Sequence, residues 1–120
     1  MKLYHCLVGF PQTVKIPTGN FLLSYSEHAK EEAENDRYGR ITLPENIVVH
    51  FNKVIECGIN ASKVVKMLVR MKFDNRRDIC IVFEPFNRNV SGGCHVRTVW
   101  FCETRDSHRT LDTSKYCIPE

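Results

Sequence analysis

VKMLVRMKFDNRRDICIVFEPF, residues 65–86, is the stretch on which the fold turns. In it Val65, Met67, Val69, Met71 and Phe73 alternate with Lys66, Arg70 and Lys72. Successive side chains of a strand point to opposite faces, so this period of two predicts a strand with one apolar and one basic face. Asn75-Arg76-Arg77-Asp78 reads as a turn, and Ile79 to Phe86 as a strand apolar on both faces, hence central in its sheet. Asn87 to Gly93 is the next turn and His95 to Glu103 the next strand, which completes a three-stranded antiparallel meander.

Toward the N-terminus the period lengthens. Leu3 to Val8 suit a first strand, and Gly9, Pro11, Pro17 and Gly19 punctuate an irregular stretch that ends near Asn20. Ser24 and Glu27 have the Ser-x-x-Glu spacing in which each side chain caps the other's backbone amide. They predict a helix through His28-Ala29-Lys30-Glu31-Glu32-Ala33 that stops by Gly39. Pro44 opens a second helix, with Ile47, Val48, Phe51, Val54 and Ile55 along one side and Gly58 as its stop. The expected fold is α+β: an N-terminal strand, two helices packed on one face of an antiparallel meander sheet, and a polar C-terminal tail. No repeat, low-complexity tract or linker divides residues 1–120, so a single domain is expected.

With 42% hydrophobic and 26% charged residues, the 120-residue chain has the apolar content for one packed core and is not of the disordered class. A net charge of +3 excludes the dense positive charge of proteins that coat nucleic acid, so any phosphate binding must come from a local cluster. Arg70, Lys72, Arg76 and Arg77 form one such group, followed by Arg97, Arg105, Arg109 and Lys115. The six cysteines, Cys6, Cys57, Cys80, Cys94, Cys102 and Cys117, follow no disulfide framework, and several fall in expected strands, where cysteine acts as a small apolar side chain. Met1 to His5 have no apolar run of the signal-peptide kind, and no window is long enough to span a membrane. Free thiols in a cytoplasmic protein without membrane contact are the expectation.

Four groups carry candidate chemistry. In the polar tail, Asp106 stands two residues before His108, where its carboxylate can orient the imidazole, and Leu111 and Tyr116 can anchor the segment on the domain. On the first helix, His28 shares a face with Glu32 at i+4 and Ser24 at i−4. Arg70 and Lys72 stand on one strand face about 7 Å apart, where fixed cations stabilise the negative charge of a phosphoryl transition state. Thr98 lies beside Trp100 on the face opposite Arg97 and Val99, which by itself reads as strand packing. Cys94-His95 has no C-x-x-C or H-x-x-x-H partner, and no phosphate-cradling glycine loop or nucleophile elbow is present, so neither a metal nor a cofactor is expected.

Ser26-Glu27-His28-Ala29-Lys30 opening a helix, Arg70 on a meander strand and Arg97-Thr98-Val99-Trp100 on the last strand resemble the barnase, EndoU, colicin and RelE superfamily of small endoribonucleases. The resemblance runs from Ser24 to Tyr116, and His108-Arg109-Thr110-Leu111 with Ser114-Lys115-Tyr116 is similar to phage-borne members. It implies a RelE-like fold and metal-independent RNA cleavage in which the RNA's own 2′-OH attacks the adjacent phosphate. By this resemblance His28 would act as base or acid, Arg70 would bind the scissile phosphate and Thr98 would hydrogen-bond it, with His108 and Thr110 completing the site. Lys72, Arg97, Arg105, Arg109 and Tyr116 would then bind substrate, and a toxin-like protein of this kind would have an antitoxin or host protein as partner. Two alternatives stay open: a non-catalytic module of the same fold that regulates or inhibits a host protein, and an RNA-binding domain without cleavage.

Overall fold

β-Branched and aromatic side chains crowd the sequence between residues 46 and 103, and strands occupy most of that stretch. The computed structural model describes residues 2–5, 14–87 and 93–105. In chain order the elements are β1 (Lys2–His5), β2 (Gly19–Tyr25), helix α1 (Glu27–Glu34), β3 (Asn46–Val49), a 3₁₀ turn (Phe51–Lys53), β4 (Val54–Asn60), β5 (Lys63–Lys72), β6 (Arg77–Glu84) and β7 (Cys94–Glu103). Seven strands form one mixed sheet in the order β1-β4-β5-β6-β7-β2-β3.

The meander is present as β5, β6 and β7, antiparallel throughout, and β6 lies at the centre with Cys80, Ile81, Val82 and Phe83 all fully buried. Its first turn is organised by Asp74, whose Oδ1 accepts the amides of Arg76 and Arg77. Alternation along β5 fails at one point: Val65, expected in the core, is exposed, because the β4–β5 register slips between Gly58 and Ile59. Phe73, just past the strand, is exposed as well.

The second helix is absent, and with it the expected RelE-like arrangement of two helices on an antiparallel meander. Residues 44–58 instead supply β3, the 3₁₀ turn and most of β4. Ile47 and Val49 are buried while Val48 is exposed, a period of two, and β3 pairs with Phe21 and Leu22 of a strand, β2, that the sequence pattern hides. Five β-branched residues among Ile47, Val48, Val49, Val54 and Ile55 restrict their rotamers in a helix and pack well on a pleated sheet. Gly58, expected as a helix stop, sits inside β4 at the register slip. β4 and β5 are joined by Ala61 and Ser62, both with positive φ, at 49° and 62°. Two successive left-handed residues are what a two-residue hairpin needs to match strand twist.

Helix α1 is the single α-helix among the described residues, and its cap is Ser26, whose Oγ accepts the amide of Ala29 at 3.0 Å. Ser24, expected as the cap, belongs to β2. β2 pairs with β7 in parallel over Leu23, Ser24 and Tyr25 only, and α1 then takes over the edge of β7. Ser26 donates its amide to the Val96 carbonyl at 3.0 Å, and Asp36 accepts the Phe101 amide at 3.1 Å. The helix thus covers backbone groups that would otherwise form an open sheet edge. Ala29 and Ala33 are its buried side chains, small enough to let it lie close against a core that includes Met67, Ile81, Phe83, Val99 and Phe101.

The opposite sheet face has a smaller cluster, Leu68, Cys80, Val82 and Cys102, with Ile55 and Trp100 packed against it. A bulge in β7 between the partners of Val82 and Phe83 leaves Arg97 without a direct opposite. The extra residue turns Arg97 onto this second face, where it reaches Glu84, rather than onto the Val99 face.

Candidate functional site

The polar side chains of the second face gather where α1 begins. Ser24, His95 and Glu84 are register partners across β2, β7 and β6, so they form a row over three strands. Ser24 Oγ lies 2.8 Å from His95 Nδ1 and also donates to the Cys94 carbonyl at 3.2 Å. One step along β7, Arg97 Nε donates to Glu84 Oε1 at 2.7 Å. Thr98 is next, only 3% exposed, and its hydroxyl donates to Glu32 Oε1 at 2.9 Å. The same oxygen stands 3.3 Å from His28 Nε2, the contact that i,i+4 spacing allows. Glu32 therefore joins His28 on the helix to Thr98 on the strand, two residues singled out by sequence on separate elements. His28 itself is open to solvent.

Arg70 is not part of this group. Its Nε donates to Asp78 Oδ2 at 2.8 Å and its Nη2 to the Glu103 carbonyl at 3.1 Å, so the guanidinium is turned toward the far end of β7. Burial works to lower the pKa of Arg70, but the Asp78 bond and the nearby Cys102 and Cys80 thiols outweigh it and the net shift is upward. Strand spacing places the Arg70 backbone about 12 Å from that of Thr98. Lys72 is exposed on the same face at the end of β5.

At that far end lies a groove of about 740 Å³ between the β5–β6 turn and the exit of β7, with Tyr38, Arg76, Arg77, Thr104 and Arg105 in its wall. Arg77 is fixed there. It donates twice to Asp74 Oδ2 and once to the Tyr38 carbonyl, and its guanidinium lies over the rings of Phe73 and Phe101. The Arg77 hydrogen bond holds the Asp74 carboxyl at about 2, well below the usual range. Arg76 and Arg105 are exposed, and Asp74 and Glu103 moderate the positive charge.

His108, Arg109, Thr110 and Tyr116 lie outside the described residues. Sequence reasoning passed over Glu84 and took His95, Ser24 and Glu32 in other roles, His95 beside Cys94 as a weak metal candidate and Ser24 and Glu32 as helix-face partners of His28. No local spacing reveals the first three, because a parallel pairing brings Ser24 to His95 across 71 residues. The described cysteines, Cys57, Cys80, Cys94 and Cys102, are buried and free, with the Cys80 and Cys102 sulfurs 3.6 Å apart.

Among the described residues, no three His, Cys, Asp or Glu side chains are grouped to hold a metal ion, and no helix is long and apolar enough to cross a membrane. No family model matches the chain, and comparison with curated proteins and with solved structures finds no match.

Proposed function

We propose that the chain is an RNA-cleaving protein of the metal-independent kind, with its reacting centre where α1 meets β7. The observation that carries this reading is the Glu32 oxygen shared by His28 Nε2 at 3.3 Å and Thr98 Oγ1 at 2.9 Å. A carboxylate that takes the Nε2–H of an imidazole fixes its orientation and leaves Nδ1 to face a reacting atom. The chemistry is transphosphorylation. The RNA 2′-oxygen attacks the adjacent phosphorus and loses its proton to a base, while the 5′-oxygen leaves with a proton from an acid, giving a 2′,3′-cyclic phosphate and a 5′-hydroxyl.

Roles follow from the contacts. Thr98 spends its proton on Glu32, so it positions the carboxylate and does not itself donate to phosphate. Arg97 stands beside it half exposed with only Nε given to Glu84, and its remaining guanidinium nitrogens suit a phosphate. Arg97 takes over here the part that the family resemblance gave to Arg70, whose guanidinium is engaged by Asp78.

A second reading, RNA binding without cleavage, is favoured by the exposed Arg76 and Arg105 in the groove at the other end of β7. Incubation with RNA in the presence of chelator separates the two. Cleavage reads out as 2′,3′-cyclic phosphate ends, with His28→Ala slower by roughly 100-fold or more. Undiminished cleavage by His28→Ala overturns the proposed centre. RNA binding that weakens steeply with salt and yields no new ends supports the second reading.

A further inference from the structure

From the Ser24–His95 pair we infer that His95 is the general base of the proposed cleavage reaction and His28 its acid. The inference rests on the ribonuclease reading and adds the partner that reading lacks, since transphosphorylation needs one group to take a proton and another to give one.

Hydrogen-bond directions assign the tautomer of His95. A carbonyl oxygen only accepts, so the contact of Ser24 Oγ with the Cys94 carbonyl at 3.2 Å uses the single hydroxyl proton of Ser24. With the hydroxyl proton on that carbonyl, the 2.8 Å contact between Ser24 Oγ and His95 Nδ1 pairs an Nδ1–H donor with the hydroxyl oxygen. A neutral imidazole protonated at Nδ1 has its lone pair on Nε2. Among the described residues nothing bonds that nitrogen. Glu84, the register partner of His95 on β6, gives its Oε1 to Arg97 and Asn87 instead. His95 thus presents an available lone pair, the state a base requires before reaction.

His28 is held in the complementary manner. Its Nε2 faces Glu32 Oε1, an oxygen that can only accept from it, so Nε2 carries a proton and Nδ1 is the nitrogen that works on substrate as the doubly protonated ring gives up its proton. The backbone brings the two residues near each other. Ser26 donates its amide to the Val96 carbonyl, one residue from His95, and His28 follows two residues later, which puts the two Cα atoms on the order of 10 Å apart. Arg97 and Thr98 follow His95 along β7, and Thr98 reaches the same Glu32 oxygen that faces His28. The groups facing His95 are Ser24 from β2, Glu84 from β6 and Arg97 from its own strand.

The test compares wild type, His95→Gln, His28→Gln and Ser24→Ala on two uridine 3′-phosphodiesters, one with a nucleoside leaving group and one with p-nitrophenol. Circular dichroism confirms that each variant is folded. A phenolate leaves without a proton, so the activated ester restores His28→Gln to near the wild-type rate while His95→Gln stays slow by roughly 100-fold or more on both. His95→Gln also removes the acidic limb of the kcat/KM profile, and Ser24→Ala slows both esters by a smaller factor. Nitrogen NMR of the resting protein shows His95 protonated at Nδ1. Rescue of His95→Gln by the activated ester, an unchanged acidic limb, or an Nε2–H tautomer overturns the assignment while leaving RNA cleavage standing. Failure of wild type to cleave either ester or RNA overturns the ribonuclease reading and this assignment with it.

Discussion

Glu32 on α1 and Thr98 on β7, 66 residues apart, are joined by a 2.9 Å hydrogen bond between a nearly buried hydroxyl and a carboxylate. The bond has a structural role besides its place beside His28, because it is one of the few polar ties between the helix and the strand edge it covers.

Thr98→Val keeps the shape of the side chain and removes the donor. Urea unfolding is expected to show a loss of about 1–2 kcal/mol. Combined with Glu32→Ala, the total loss should fall short of the sum of the two single losses by about 1 kcal/mol. Strict additivity would mean that the pair does not interact in solution.

Ile47 and Val48 distinguish a strand from a helix at residues 46–49. Ile47 is 6% exposed and Val48 is 50% exposed. Ile47→Ala should cost about 2–4 kcal/mol and Val48→Ala less than about 0.5 kcal/mol. A helix with both residues on one packed face would make the two losses similar, and chemical denaturation of the two variants decides it.

Acid stability should depend on Asp74. Its carboxyl lies at about 2 in the folded protein against an ordinary 3.8, lowered chiefly by the Arg77 hydrogen bond. A depressed carboxyl contributes stability above its unfolded value, and the contribution is lost as pH falls toward the folded one. Wild type should therefore lose stability from about pH 4 down to about pH 2, and Asp74→Asn should lose less over that window. Unfolding curves taken at half-unit steps measure the difference.

Thiol labelling should divide the cysteines. Cys57, Cys80 and Cys94 are fully buried and Cys102 nearly so, and burial pushes the Cys94 thiol up to about 12. Cys80 is raised as well, by its contact with Cys102 and by burial. Iodoacetamide at pH 8 should leave these four unmodified in the native state and alkylate all of them in urea, with peptide mass spectrometry as the readout. Rapid native labelling of any of the four would show that the sheet opens there.

The meander was legible because β5, β6 and β7 declare themselves locally, by alternation or by unbroken apolar runs between turn residues. β3 and β4 were not, because Ile47, Val48, Phe51, Val54 and Ile55 happen to fall at helical intervals around a 3₁₀ turn that interrupts them. Their β-branched character was the available counter-signal. For the helix cap, Ser24-x-x-Glu27 completed a capping box on paper, whereas Ser26 has Ala29 at the corresponding place and caps with its oxygen alone. In the site, the His28–Glu32 contact followed from helix spacing, while His95 was hidden because its partner comes from a strand that only the folded sheet brings near. Arg70 was placed correctly on a strand, yet no sequence pattern showed that Asp78, one strand over, would occupy it.

The parallel pairing of β2 with β7 also sets the order in which the domain is completed during synthesis. Leu23, Ser24 and Tyr25 leave the ribosome long before Cys94, His95 and Val96, the residues they must pair with. Until then β2 and β3 have only each other, a two-stranded ribbon that is marginal alone, and α1 has no edge to lie on. Closure of so distant a contact is slow compared with hairpin formation, so β4 to β6 can assemble first and the early segments join last. Until β7 arrives, a nascent chain carries Ser24 and His28 but neither the strand that β2 pairs with nor the His95 and Arg97 that β7 itself supplies.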